Sequence, residues 1–165
     1  MLVVEKRDLY DLNRNLTGEV INKGQRYSID RKILVVLLWI ENSKGEILIQ
    51  KRCENNKWAA TCGHPKSGES SIEGIITEVK EELGIDISNE DIKLINSNYD
   101  ELVFVDVYYL KKDLDIDKLN IQKEELKDVK WVSLDKIKKL IEQNNFFEKH
   151  IDKYQMLLEY KTLSY

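Results

Sequence analysis

The segment Gly63–Asp86 constrains the fold most, because it places carboxylates and apolar residues on opposite faces of one helix. Glu78, Glu81 and Glu82 have i, i+3 and i+4 spacing, so they share a helix face. The other face carries apolar residues at helical spacing, namely Ile72, Ile75, Ile76, Val79 and Leu83. Like charges at this spacing repel unless a cation neutralises them, and oxygen ligands suit Mg²⁺ or Mn²⁺. A solvated acidic face on a surface helix is the alternative that this spacing leaves open.

The two ends of this helix are also marked in the sequence. Ser70 can cap its first turn, and Glu73, three residues later, completes a capping box. Gly84 supplies the residue that ends the helix. The preceding loop, Gly63–Glu69, contains the single proline of the chain and must turn tightly.

Length and composition indicate one globular domain over residues 1–165. Of these residues, 42% are hydrophobic and 34% are charged, which excludes general disorder. The chain shows no linker, internal repeat or low-complexity segment that would mark a second domain. The formal net charge of −4 argues against binding of polymeric nucleic acid, which requires a basic surface.

The same sequence predicts a cytoplasmic protein without a membrane partner. Cys53 and Cys62 are too few for a disulfide framework and fit a reducing compartment. The N-terminus lacks the basic segment and long apolar run of a signal peptide. The longest apolar run, Ile33–Ile40, is too short to span a bilayer.

Branched apolar segments predict a mixed β-sheet. Residues 33–40 indicate a strand buried on both faces, and residues 46–51 return from a turn at 42–45 to make a hairpin. Further strands are predicted at residues 58–62, 92–96, 102–110 and 126–132. Two more, at 8–12 and 17–21 around a turn at 13–15, would form an N-terminal hairpin whose apolar residues could pair across a homodimer.

Helices and loops complete the predicted order. Ser133 is expected to cap a helix over 134–143, and a last amphipathic helix is predicted over 147–160. Residues 22–30, 52–57 and 111–123 are predicted as loops. Strands interleaved with helices in this order indicate an α/β fold, with a mixed sheet and helices on its faces.

The spacing around the acidic helix resembles the signature of the Nudix hydrolases. Gly63 is followed by five residues and Glu69, then by seven residues and the run Thr77–Ile85 (TEVKEELGI). This matches Gly-x5-Glu-x7-Arg-Glu-apolar-x-Glu-Glu-x-Gly-apolar at every defined position except one, because Thr77 stands where the family has arginine. The hairpin segment Glu46–Arg52, Trp58 and the late segment Glu124–Leu134 are also similar to the family. The resemblance implies a Nudix-type α/β/α sandwich with a central mixed β-sheet and the Nudix loop-helix.

The resemblance also implies roles for individual residues. Glu78, Glu81 and Glu82 would bind Mg²⁺, or Mn²⁺, together with the backbone carbonyl of Gly63. Glu69 would brace the loop against the helix. The catalytic residues would be Glu78, Glu81 and a carboxylate from the late segment that could serve as base or complete a second metal site, for which we favour Glu125 over Glu124.

Three more residues are expected to contact substrate. Lys51 or Arg52, at the end of a strand, could stabilise charge that develops on phosphate, although both could equally be solvated. His64 lies beside the expected phosphate site. Thr77 cannot form the ion pair with which the family's arginine holds a catalytic glutamate, since its hydroxyl is short and uncharged.

The expected function is Mg²⁺-dependent hydrolysis of a diphosphate linkage in a nucleoside-diphosphate-linked or related small molecule. An alternative is isopentenyl-diphosphate isomerase, which Thr61–Pro65 (TCGHP) resembles through a cysteine for proton transfer and a metal-binding histidine. That enzyme uses two further histidines before the box. This chain has none there, and we interpret its other histidine, His150, as a surface or packing residue. A further alternative is a catalytically weak metabolite-binding protein, which Thr77 makes plausible.

Overall fold

The computed structural model describes residues 3–163. Within that range the strands, in chain order, are β1 Lys6–Tyr10, β2 Leu16–Asn22, β3 Ile33–Glu41, β4 Ile47–Arg52, β5 Trp58–Ala59, β6 Thr61–Gly63, β7 Lys93–Tyr99, β8 Val103–Lys111 and β9 Leu126–Val132. The helices are α1 Ser71–Leu83, α2 Leu134–Glu142 and α3 Ile151–Leu163, with 3₁₀ turns at Ile116–Lys118 and Glu148–His150. The outermost residues of the predicted domain, 1–2 and 164–165, lie outside the described residues.

Strand β3 is the centre of the main sheet, as its uninterrupted apolar sequence predicts. It pairs in parallel with β8 along its whole length, from Ile33 opposite Val103 to Glu41 opposite Lys111. On its other side it pairs antiparallel with β6, and the antiparallel strand β7 borders β8. The sheet is therefore mixed, and side chains from both faces of β3 are buried.

The sheet forks beside β3. Strands β3 and β4 share a register pair only at the base of their hairpin, Glu41 with Ile47. Beyond that point β3 continues with β6, whereas β4 continues with β5 and β9. The two arms diverge, and the candidate site lies in the gap between them.

Helices cover both faces of the sheet, which confirms the predicted sandwich. On one face, α1 packs its apolar stripe, including Ile75, Val79 and Leu83, against Val36 and Leu38 of β3. On the other face, α2 and α3 bury Ile137, Leu140, Tyr154 and Leu157 against Leu37 and Trp39. Burial of these alternating faces supplies the two cores that hold the layers together.

Several element boundaries differ from those predicted near the N-terminus. Strand β1 ends at Tyr10 rather than residue 12, because the Asp11 carboxylate accepts hydrogen bonds from the backbone N–H groups of Asn13 and Asn15, both at 2.9 Å. This turn chemistry stops the strand. The hairpin contacts the rest of the chain through Tyr10, whose N–H donates to the Lys32 carbonyl at 2.8 Å.

Boundaries also differ in the second half of the chain. The single strand predicted at 58–62 is divided at Ala60 into β5 and β6, which pair with different arms of the fork. The loop predicted at 111–123 contains a 3₁₀ turn. The last helix begins at Ile151 rather than at residue 147, since residues 148–150 adopt a 3₁₀ turn first.

Two predictions about partners, the homodimer and the absence of a membrane partner, concern features of the described residues. Leu16 and Val20 of β2 are 64% and 46% exposed, so the N-terminal hairpin keeps an apolar surface, and pairing across a homodimer stays a prediction. None of the helices within residues 3–163 combines the length and hydrophobicity needed to cross a bilayer.

Candidate active site

Helix α1 has the ends that its sequence predicts. The Ser70 hydroxyl accepts a hydrogen bond from the Glu73 N–H, and the Glu73 carboxylate accepts one from the Ser70 N–H, which completes the capping box. Gly84 closes the helix in the left-handed region, at φ 74°, where its N–H donates to the Lys80 carbonyl. These contacts satisfy backbone groups that a helix otherwise leaves unpaired at its ends. They therefore fix where the three glutamates point.

Glu69 braces the loop against α1, as the family resemblance implies. One carboxylate oxygen accepts from the Lys66 N–H at 2.7 Å, and the other accepts from the Thr77 hydroxyl at 2.6 Å. The threonine found where an arginine is expected thus makes a short hydrogen bond to the bracing carboxylate in place of an ion pair. The loop–helix unit is closed without the arginine.

We expect Thr77→Val to weaken this unit while it preserves the shape of the side chain. A hydrogen bond to a charged acceptor is lost, and because Glu69 keeps its bond to Lys66, we expect a loss of about 1.5 kcal/mol in the free energy of unfolding. Urea denaturation would measure it. Thr77→Ser is the matched control, since it retains the hydroxyl. A Thr77→Val protein as stable as Thr77→Ser would show that the bond contributes nothing.

The N-terminal hairpin holds the same loop from its other side. The Asp8 carboxylate accepts hydrogen bonds from the Ser67 hydroxyl at 2.6 Å and from the Gly68 N–H at 2.9 Å. The Ser67 N–H also donates to the Lys6 carbonyl at 2.8 Å. A segment far away in sequence therefore positions the loop that precedes the acidic helix.

Two of the three helix glutamates are buried. Glu78 and Glu82 are each 8% exposed. An oxygen of Glu78 accepts from the His64 N–H at 3.4 Å, and an oxygen of Glu82 accepts from the Gln50 amide at 3.0 Å. Gln50 in turn accepts from the Thr61 hydroxyl at 3.1 Å, which orients its amide. Strands β4 and β6 therefore aim these carboxylates.

Gly63 gives Glu78 the room it occupies. A Cβ at position 63 would lie 2.2 Å from Cδ of Glu78, closer than any tolerated contact. The carboxylate therefore packs directly against the backbone of the loop, next to the carbonyl that was predicted to join the metal site. A side chain at Gly63 would displace Glu78.

Burial raises the pKa of both carboxyls. The pKa of Glu78 rises to about 7, chiefly through burial, although Lys66 lowers it. The pKa of Glu82 rises to about 8, again chiefly through burial, which outweighs the hydrogen bond from Gln50, and the negative charges of Glu78 and Glu125 add to the rise. Ionised carboxylates here lack enough positive charge around them, and a bound divalent cation would supply it.

The donor set fits a hard divalent cation in its chemistry. All side-chain donors are oxygens, two of them are buried, and the three glutamates share one helix face. Their carboxylates have separate partners, however: Glu81 pairs with Lys66 at 2.7 Å. Among residues 3–163, no group of three or more His, Cys, Asp or Glu side chains already converges on a point where a metal would bind. Binding of one cation by all three glutamates therefore requires their side chains to move together.

The glutamates border a cavity of about 620 Å³ in the fork of the sheet. Its polar wall includes Glu78, Glu81, Glu82 and, from the loop before β9, Glu125. Its floor is apolar and comes from β3 and β8, with Val35 and Val105 side by side in the parallel register. Cavities of this size hold nucleotide-sized ligands.

The structure brings most of the predicted site residues to this cavity. Arg52, His64 and Glu125 line it together with Cys62, whereas Glu124 and Lys51 are not part of the lining. Lys51 lies with its Nζ 5.8 Å from the Trp58 ring centre. Lys51 and Arg52 are successive residues of β4, and the pairing of β4 with β9 is irregular between them. Of the two, the structure assigns Arg52 to the cavity.

Cys62 and His64 are both uncharged at neutral pH. Burial raises the pKa of the Cys62 thiol to about 12, and the nearby Glu82 carboxylate adds to the shift. Burial also lowers the pKa of His64 to about 3, helped by the positive charge of Arg7 and Lys23. This part of the cavity therefore offers a thiol and a neutral imidazole.

Sequence reasoning missed the contribution of the C-terminal segment. His150, interpreted from the sequence as a surface or packing residue, is buried, at 4% exposed, and it lines the cavity with Phe147, Lys149 and Lys153. Contacts with β5 bring the segment there: the Phe147 N–H donates to the Trp58 carbonyl at 2.8 Å. No local sequence signal marks this long-range pairing.

Comparison with known sequences gives one family. The family model for the NUDIX domain matches residues 31–154. An uncharacterized Nudix hydrolase from Listeria innocua is 36% identical over 151 residues, which cover 87% of this chain and 88% of that relative. The isopentenyl-diphosphate Delta-isomerase of Escherichia coli O127:H6 is 38% identical over 56 residues, which cover 30% of this chain and 31% of that enzyme.

Solved structures show the same fold. A crystal structure of a Deinococcus radiodurans protein matches with a TM-score of 0.78 and 20% identity, covering 92% of this chain and 98% of that one. The NUDIX domain of NrtR from Shewanella oneidensis, in complex with ADP ribose, matches with a TM-score of 0.62 and 14% identity, covering 78% of this chain and 87% of that one. At these identities the structures establish a shared architecture.

Proposed function

Because this chain belongs to the NUDIX domain family and is a Nudix hydrolase, we propose that it cleaves a diphosphate linkage in a nucleoside-diphosphate-linked substrate, with Mg²⁺ or Mn²⁺ as cofactor. The observation that carries the proposal is the pair of buried carboxylates, Glu78 and Glu82, on the wall of a nucleotide-sized cavity. The ADP ribose held by the Shewanella domain supports a nucleoside in the substrate.

The proposed chemistry divides among residues of this cavity. Glu78, Glu81 and Glu82 would hold the cation, joined by the Gly63 carbonyl. A bound divalent cation lowers the pKa of water and neutralises part of the diphosphate charge. Glu125 is half-exposed on the cavity wall and would accept a proton from the attacking water as general base.

Positive charge at the cavity would stabilise the leaving group. The guanidinium of Arg52 lines the cavity 3.9 Å from the centre of the Phe147 ring, which restricts its movement. We propose that it donates hydrogen bonds to the phosphate oxygens on which charge develops as the P–O bond breaks. Lys66, paired with Glu81 at 2.7 Å, places a second positive charge beside the three glutamates.

A substrate panel tests the hydrolase directly. We expect the purified chain with Mg²⁺ or Mn²⁺ to release nucleoside monophosphate from at least one nucleotide sugar, dinucleoside polyphosphate or nucleoside diphosphate, and to lose this activity in EDTA. Chromatography of the products would identify the bond that is cleaved. If no member of the panel turned over with either metal, the proposal would be wrong.

Isopentenyl-diphosphate isomerase is the second candidate, favoured by Cys62 and His64 in the same cavity and by the 56-residue match. Conversion of isopentenyl to dimethylallyl diphosphate would establish it. The third candidate, a weakly catalytic metabolite-binding protein, predicts tight nucleotide binding without turnover. A cytoplasmic location, a homodimer and a single domain over residues 1–165 stay predictions within this proposal.

A further inference from the structure

His150 is held in one orientation and one tautomer. Its Nδ1 accepts a hydrogen bond from the Ala60 N–H at 3.2 Å, so in the neutral ring the proton resides on Nε2. The ring packs edge-on against Phe147, with 4.8 Å between ring centres and 65° between planes. His150 is buried, with 4% of the residue exposed. Nε2–H is therefore a fixed donor.

This donor has no hydrogen-bond partner among residues 3–163, where the bond to Ala60 accounts for the other ring nitrogen. Among the described residues, the side-chain atom that is both closed off from solvent and without a partner is Trp39 Nε1. Nε2 of His150 is therefore not closed off, and His150 borders the cavity. An unpaired donor in a buried site costs free energy unless a ligand or water accepts from it.

The surroundings of His150 are mostly apolar at the floor of the cavity, with cationic side chains around it. Burial lowers the pKa of its imidazole to about 3, and the positive charges of Arg52, Lys153 and Lys149 add to this shift, so the ring is neutral. Val35, Leu37 and Val105 from β3 and β8 form the floor, with Ala60 beside them. The metal-binding carboxylates occupy the wall formed by α1, while His150 belongs to the C-terminal segment, so the cavity offers two regions of different chemistry. Phosphate suits the first region. A planar or apolar group suits the second.

We propose that His150, Phe147 and the apolar floor form a subsite for the heterocyclic base of the substrate, with Nε2–H of His150 donating to an acceptor atom on that base. This inference rests on the proposed function, which supplies the diphosphate end of the ligand. A hydrocarbon chain would fill the floor but leave the His150 donor unpaired, and sites built around a hydrogen bond discriminate against ligands that lack it. The subsite therefore favours a nucleoside over a prenyl group.

Binding without metal tests the subsite separately from catalysis. Calorimetry in EDTA would compare four nucleoside monophosphates with ribose 5-phosphate, which lacks a base. We expect at least one nucleotide to bind wild type about 10- to 100-fold more tightly than ribose 5-phosphate. His150→Phe keeps a flat ring without the donor, so that ratio should fall about tenfold while the affinity for ribose 5-phosphate is unchanged.

Control variants separate recognition from packing. His150→Gln restores an N–H at the Nε2 position and should recover part of the preference. Ile151→Ala changes the neighbouring, 37% exposed residue outside the lining and should leave every affinity unchanged. Equal weakening of all ligands by His150→Phe, or tighter binding of dimethylallyl diphosphate than of any nucleotide, would overturn the subsite.

A second measurement holds even if His150→Phe does not fold. In wild-type protein labelled with ¹⁵N at histidine, the Nε2 resonance of His150 should shift on addition of nucleotide but not of ribose 5-phosphate; identical spectra would overturn the proposal. Nucleotide binding through His150 without turnover of any diphosphate would leave the subsite standing and refute the hydrolase. Diphosphate turnover that does not change when His150 is substituted would support the hydrolase and refute the subsite.

Discussion

Glu78→Gln is expected to lower the kcat/KM for the best diphosphate substrate by about 10³-fold, within the range typical of a catalytic carboxylate. The substitution keeps the size of a side chain that has no free space, since it packs against the backbone of Gly63. It removes the negative charge that would bind the cation. Initial rates with Mg²⁺ over a range of substrate concentrations would measure the loss.

The same substitution should not destabilise the protein when metal is absent. The pKa of Glu78 is raised to about 7 by burial, so the folded state binds a proton more readily than the unfolded state, and ionisation destabilises the fold as pH rises through 7. Glutamine carries no charge to bury. At pH 8 in EDTA we therefore expect a Tm for Glu78→Gln equal to or above that of wild type, together with loss of the stabilisation that Mg²⁺ confers.

A carboxylate outside the site is the matched control. Glu142, at the exposed end of α2, should tolerate the change to Gln with wild-type kcat/KM and wild-type stabilisation by Mg²⁺. Glu78→Gln with activity within threefold of wild type would exclude Glu78 from the metal site and from catalysis. A large fall in Tm in EDTA would instead indicate a structural role.

Arg14→Ala is expected to produce the largest loss of stability among our predictions, about 2–3 kcal/mol in the free energy of unfolding. The guanidinium forks onto the carboxylate of Asp106, with N–O distances of 2.8 and 2.5 Å. Asp106 is 2% exposed, so removal of Arg14 leaves a buried charge. The Ser71 and Ser97 hydroxyls still donate to it, and Arg14 is 34% exposed, which keeps the loss below that of a fully buried pair.

The pH dependence of this loss has a definite sign. Burial alone would raise the pKa of the Asp106 carboxyl, but hydrogen bonds from Arg14, Ser71 and Ser97 outweigh it and hold that pKa below its ordinary value. A lowered carboxyl pKa stabilises the fold above the unfolded pKa, about 4, and this stabilisation is lost as pH falls through the folded value. The difference in the free energy of unfolding between wild type and Arg14→Ala should therefore become smaller at acidic pH.

Urea denaturation at pH 7 would measure the effect, and Arg31→Ala is the control. Arg31 pairs with Glu19 at 2.8 Å, yet this pair lies on the surface, where solvent screens it. We expect the midpoint for Arg31→Ala to stay close to that of wild type. If Arg14→Ala shifted the midpoint no more than Arg31→Ala did, the contribution assigned to the buried pair would be refuted.

Local patterns predicted α1 and its surroundings well. The capping box of Ser70 and Glu73, the terminal Gly84 and the apolar stripe each act within a few residues, and all were confirmed in the structure. The buried strand β3 was equally clear, because a short, uninterrupted run of branched apolar residues is typical of a strand that is buried on both faces. The family resemblance then added roles that spacing alone does not contain.

Predictions were wrong or incomplete where contacts between residues distant in the sequence determine the structure. The sequence left Lys51 and Arg52 as alternatives for contact with phosphate, and only the packing of β4 against β5 and β9 shows which one meets the cavity. The last helix begins later than its apolar pattern suggests, because Phe146 and Phe147 pair with Trp58 before the helix can start.

By itself, therefore, the sequence determined the acidic helix, its two ends, the central strand and the family, since each depends on neighbours along the chain or on a spaced motif. Only the tertiary structure decided that Arg14 neutralises Asp106 and that His150 borders the same cavity as Glu78. The physical reason is that charge pairing and cavity lining depend on distance in space. Residues separated by much of the chain meet only after the sheet and its two helical layers have formed.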